Sequence, residues 1–92
     1  MAVRVTHVRM VPGGTLHEHI ESVKWENPGD GTTGSSTVAE MVKYIDGGNK
    51  AYTLEQGVRA EIVVVRPTYG RPYIRTQADG RLTNNLLELP RY

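Results

Sequence analysis

The chain has 92 residues, enough for one domain spanning 1–92 and no second one, and a domain of this size buries roughly two-thirds of its unfolded surface. Hydrophobic content of 38% with 23% charged residues excludes a disordered chain, and the absence of cysteine excludes disulfides, thiol catalysis and thiolate zinc sites together. The net charge of +1 hides an asymmetry: residues 1–58 hold five Lys/Arg against seven Asp/Glu, and residues 59–92 hold six Arg against three acids.

Val3, Val5 and Val8 to Val11 alternate with Arg4, Thr6, His7 and Arg9, a pattern that predicts a first strand ending at Pro12-Gly13-Gly14. Leu16 to Trp25 reads as a second strand, hairpin-paired with the first. Its apolar positions change parity between Ile20 and Val23, which implies a bulge or a two-sided strand. On such a strand His17 and His19 share a face about 7 Å apart, with His7 across the hairpin. Three imidazoles so placed could ligate a divalent ion, but no acidic ligand is specified and strand-surface histidines are common. No metal site is expected.

Asn27 to Ser36, rich in glycine and small polar residues, reads as a surface loop. A phosphate-binding P-loop would need a lysine at its end, and none occurs between Lys24 and Lys43. The helix follows, with Val38, Met41, Val42 and Ile45 forming one apolar stripe and Glu40, Lys43 and Asp46 facing outward. Thr37 with Glu40 forms a capping box, and Gly47-Gly48 ends the helix. A single helix in so small a domain packs its stripe on the sheet.

Ala51 to Glu55 reads as a third strand. Val58 to Arg66 reads as the fourth and central one, because Ile62 to Val65 is apolar on both faces, and Tyr73 to Thr76 as the fifth, hairpin-paired with it across a Pro67 to Pro72 loop. The expected fold is α+β: a small, mostly antiparallel sheet in the order β-β-α-β-β-β with one helix on one face. The N-terminal Met-Ala-Val-Arg-Val-Thr reads as strand rather than signal peptide, and no apolar run is long enough to span a bilayer, so a cytoplasmic location without membrane contact is expected.

The segment Tyr73-Ile74-Arg75-Thr76, the Asp79-Gly80 turn and Asn85-Leu86-Leu87-x-Leu89-Pro90 together resemble the C-terminal signature of a family of small bacterial and phage proteins, the domain-of-unknown-function family 3892. The helix and Tyr52-Thr53-Leu54 match that family only in spacing. Asn84 stands where the family carries an acid, so no carboxylate function carries over to that position. The resemblance implies a cytoplasmic bacterial or phage setting and brings no activity with it.

Arg66, Arg71 and Arg75 interleave with Tyr69 and Tyr73, and these five are the candidate contact residues, with Arg91 and Tyr92 as outlying additions. Arginine and tyrosine dominate protein interface hot spots, and the same pair supplies phosphate contacts and base stacking. Opposed to this is a structural role: Tyr73 in the core, and Arg75 paired with Asp79 or Glu88. Asp79, Asn84, Asn85 and Glu88 offer acids and amides, but no nucleophile with its base is spelled out, and Asn85 suits backbone satisfaction of the Leu86-Leu87 turn. The expected function is a non-catalytic binding module without cofactor. Its partner is a protein, or a second copy paired through an edge strand. The alternative is single-stranded nucleic acid bound by residues 66–75.

Overall fold

The computed structural model describes residues 2–55, 57–77 and 86–92. Six strands, β1 (Ala2–Met10), β2 (Ile20–Glu26), β3 (Thr33–Thr37), β4 (Lys50–Glu55), β5 (Val58–Val65) and β6 (Tyr73–Thr76), form one sheet in the order β3-β2-β1-β4-β5-β6. The helix α1 (Val38–Asp46) connects β3 to β4. Every neighbouring pair is antiparallel except β1 and β4, which run parallel from Ala2↔Lys50 to Arg4↔Tyr52. That exception follows from the helix, because α1 carries the chain from one edge of the sheet across to the far side of β1. The fold is the α+β domain expected, with one strand more.

The parity slip is explained by two irregularities in the β1–β2 ladder. Val5 pairs with Trp25 and His7 with Lys24, which leaves Thr6 as an extra residue in β1. Arg9 pairs with Ser22 and Met10 with Ile20, which leaves Glu21 extra in β2. Each bulge resets the alternation, so Val3, Val5 and Val8 all face the core, as do Ile20 and Val23.

Two expectations are corrected. Residues 33–36 lie not in a loop but in the edge strand β3, despite a Thr-Gly-Ser-Ser-Thr composition poor in apolar residues. What docks this segment is Trp25: its indole occupies the space above Gly34, where a Cβ would fall 2.7 Å from Cζ2, and its Nε1 donates to Ser36 Oγ at 3.1 Å. The strand β5 is also not central. Once α1 has delivered β4 onto β1, the centre belongs to those two strands and β5 lies one place further out. Its second apolar face arises because Val63 and Val65 are half-buried opposite the long side chains of Arg75 and Tyr73.

The helix forms as its sequence dictates. Thr37 Oγ1 accepts from the Glu40 amide at 3.2 Å while the Glu40 carboxylate accepts from the Thr37 amide at 2.9 Å, completing the capping box. At the other end the Gly47 amide donates to the Lys43 carbonyl at 3.0 Å, and Gly48 takes φ 95°, a conformation that favours glycine. Met41 is 2% exposed at the centre of the stripe, flanked by partly buried Val38, Val42 and Ile45. The helix packs against β2, β3, β4, β5 and β6, and a 3-10 turn at His17–His19 approaches β6, so the sheet curls around one core. Leu86 and Leu89 close that core, and the Val8 amide donates to the Pro90 carbonyl at 3.0 Å.

Gly34→Ala forces the indole to move, and a loss of about 1–3 kcal/mol in urea-unfolding stability is expected. The backbone amide and side chain of Thr37 hold the Glu40 carboxyl below the usual glutamate range. A folded-state pKa below the unfolded one makes the box stabilising above the unfolded value, and that contribution is lost as pH falls through the folded value. Glu40→Gln therefore lowers the melting midpoint at neutral pH, and the gap to the parent chain narrows below about pH 4, as thermal melts across pH will show.

Candidate binding surface

The five candidate residues divide into two groups. Arg66, Tyr69 and Arg71 lie on the β5–β6 loop, where Pro67 and Pro72 restrict the backbone and Gly70 turns it at φ 103°. Arg66 forms an exposed ion pair with Asp46, the last residue of α1, and so ties the loop to the helix. Tyr69 is 91% exposed and Arg71 is exposed beside it. Among the described residues, Val11 at 38% and Leu16 at 52% are the other large exposed hydrophobics, and neither approaches the exposure of Tyr69.

Tyr73 and Arg75 belong to β6 and point the other way from Ile74, whose side chain is fully buried in the core. They therefore sit on the outer face of the sheet, opposite α1, and Tyr73 is half-buried there rather than in the core. Arg75 donates from Nε to the Thr76 carbonyl at 3.4 Å and forms no ion pair with Glu88. Its other expected partner, Asp79, lies outside the described residues, as do Gly80, Asn84 and Asn85 of the signature and of the acid-amide cluster.

That outer face carries a group of cations and rings that residues 66–75 alone do not reveal. Arg9 and Lys24 stand 4.7 Å and 4.8 Å from the centroid of the Tyr92 ring, and His7 meets the same ring edge-on at 6.5 Å. Tyr92 is fixed there by its hydroxyl, 2.7 Å from Ser22 Oγ, and by Arg9 Nε, which donates to its main-chain oxygen at 3.1 Å. Arg59 lies 4.0 Å over the ring of Tyr52 and pairs with Glu61 at 3.0 Å. Arg4 is committed to structure, bonding Glu26 at 3.3 Å and the Leu54 carbonyl at 2.7 Å. Arg91, the other outlying candidate, bonds the Leu89 carbonyl at 2.7 Å and bridges to Val8. The strand alternation holds the signal for this group: Arg9 flanks buried Val8 and Lys24 flanks buried Val23, so both must face outward.

The histidines do not share a strand face. His17 and His19 occupy the 3-10 turn, and His19 Nδ1 accepts from the Thr15 and Leu16 amides at 3.0 Å and 3.1 Å. His7 Nδ1 is 2.9 Å from Thr6 Oγ1. The turn replaces the strand because a histidine that caps preceding amides satisfies backbone groups that an edge strand would leave open. Among the described residues, no three His, Asp or Glu side chains gather in a metal-ligating cluster.

The fold and its surfaces define a small one-helix α+β domain, in which no helix among the described residues is long and apolar enough to cross a membrane. The model of the family described as protein of unknown function, DUF3892, matches residues 4–90, and the chain belongs to that family. Comparison with curated proteins and with solved structures returns no match.

Because the Arg66–Asp46 pair is exposed, Arg66→Ala should change unfolding free energy by less than about 1 kcal/mol in urea titrations. His19→Ala, by contrast, removes the acceptor for two amides and is expected to cost about 1 kcal/mol, while equimolar zinc leaves the melting midpoint of the parent chain unchanged.

Proposed function

We propose that this chain is a non-catalytic binding module of a bacterial or phage cytoplasm, and that it engages a protein partner through the β5–β6 loop. One observation carries the reading: Tyr69 stands 91% exposed on a loop stiffened by two prolines, with exposed Arg71 beside it. A ring held out in water on a restrained backbone loses little entropy when it is buried by a partner, and tyrosine with arginine is the pairing that dominates interface energies. The tie from Arg66 to Asp46 adds to this restraint.

A second reading has its own support. Tyr73 and Arg75 share the outer sheet face with Arg9, Lys24 and Arg59, and cations interleaved with rings suit single-stranded nucleic acid.

Immobilised chain should retain a protein from host lysate after nuclease treatment, and the purified partner should rebind. Tyr69→Ala and Arg71→Ala should each weaken that binding by at least about tenfold without lowering the melting midpoint. Retention that disappears with nuclease, together with oligonucleotide binding that falls steeply with salt and with Arg75→Ala, would replace the protein reading with the nucleic-acid one. Self-association in sedimentation, unaffected by either loop variant, would point instead to pairing through the edges β3 or β6.

A further inference from the structure

The two edges of the sheet differ in how they are guarded. The edge strand β6 follows Pro72 and carries Arg75, whose Nε donates to the Thr76 carbonyl at 3.4 Å. Charge and proline are devices by which proteins keep a strand edge from pairing. β3 has neither: its five residues are uncharged, and they follow β2 without a shift in register from Glu26↔Thr33 to Ser22↔Thr37. The bonding pattern fixes which of its backbone groups face outward. The Asn27 amide donates to the Thr32 carbonyl at 2.7 Å, and in an antiparallel ladder bonded pairs alternate with non-bonded ones. Trp25 with Gly34 and Val23 with Ser36 are therefore bonded pairs, and the amides and carbonyls of Thr33, Ser35 and Thr37 point away from β2. In keeping with this, the Thr37 amide donates to the Glu40 carboxylate at 2.9 Å. The amides and carbonyls of Thr33 and Ser35 have no such partner among the described residues.

We propose that β3 pairs with an extended, basic segment of a partner polypeptide, which adds as one more strand and takes its backbone bonds from Thr33 and Ser35. Opposed residues in a ladder share a face, so side chains of the added strand opposite Gly34 and Ser36 point inward. There Gly34 presents no side chain, the indole of Trp25 lies over it, and a cleft of about 190 Å³ opens among Trp25, Ser36, Glu40 and Met41, a place suited to an apolar side chain. Charge selects the rest of the segment. Asp30 precedes β3 and Glu40 follows it, both exposed and neither in an ion pair among the described residues. Lys24, the cation paired with Ser35 in register, lies over the Tyr92 ring. A second copy is disfavoured, because antiparallel pairing about Ser35 would set the Asp30 end of each strand against the Glu40 end of the other. β3 lies at the opposite end of the strand order from β6, so the inference is independent of the function proposed for the β5–β6 loop.

The probes are blocked peptides of about eight residues that alternate Val with Lys, and the same peptides with Glu in place of Lys. The single tryptophan lies over Gly34, and its fluorescence follows binding. The Lys peptide should reach half-saturation at or below about 1 mM, and the Glu peptide should bind at least about tenfold more weakly. Amide hydrogen exchange at Thr33 and Ser35 should slow on saturation, while Gly34 and Ser36, already bonded to β2, change little. Ser35→Pro removes an amide that faces away from β2, where an edge strand tolerates proline, and should weaken the Lys peptide at least about tenfold. Ser35→Lys leaves the backbone donors in place and should weaken it about threefold to tenfold through like charge. The proposal is overturned if the Lys peptide does not saturate by about 10 mM, if the Thr33 and Ser35 amides keep their exchange rates when it does, or if the Glu peptide binds equally well. Slowing of the same two amides with rising chain concentration, in the absence of peptide, would overturn the choice of partner in favour of a second copy.

Discussion

Everything in this domain depends on the two-sided pairing of β1. One edge carries β2 along its length, and the other is shared between β4 near Ala2 to Arg4 and the Pro90-Arg91 segment near Val8. Val5 and Val8 both belong to the core although they stand three residues apart, a spacing that strict alternation would place on opposite faces. The bulge at Thr6 solves this by turning both Val5 and Val8 inward, and the matching bulge at Glu21 does the same for Ile20 and Val23. The helix crosses the core these residues form, and Leu86 and Leu89 close it.

The order of elements is legible in the sequence because its signals are local. Capping box, apolar stripe and glycine stop fix α1 within a few residues, and the change of parity between Ile20 and Val23 is itself the mark of a bulge. What the sequence hides is decided at a distance. A Thr-Gly-Ser-Ser-Thr segment carries no strand signal of its own; it becomes β3 because one indole needs a glycine beneath it and a hydroxyl beside it. Likewise the position of β5 depends on where the helix delivers β4, which hydrophobicity along β5 cannot express. The histidine pair misleads for a related reason: a turn that satisfies its own amides through His19 outcompetes continuation of the strand.

The surface is legible in part. Arg66, Tyr69 and Arg71 stand out because prolines and glycine mark an exposed loop, and they are exposed. Proximity in sequence groups Tyr73 and Arg75 with them, but the pleat turns these two onto the outer face of the sheet. Their companions there, Arg9, Lys24 and Tyr92, come from distant parts of the chain, and only the tertiary structure assembles them.

The bond from Val8 to Pro90 joins positions separated by most of the chain. Contacts of such long sequence separation require a large loop to close before they return any energy, so they form late and slow folding. During synthesis, β2 can pair with one side of β1 early, while the far side of Val8 waits for a segment made much later. Through that interval the second half of β1 is an open strand edge in the middle of the sheet. The nascent domain is then most exposed to mispairing with a neighbouring chain, a hazard that ends when the Pro90 carbonyl arrives.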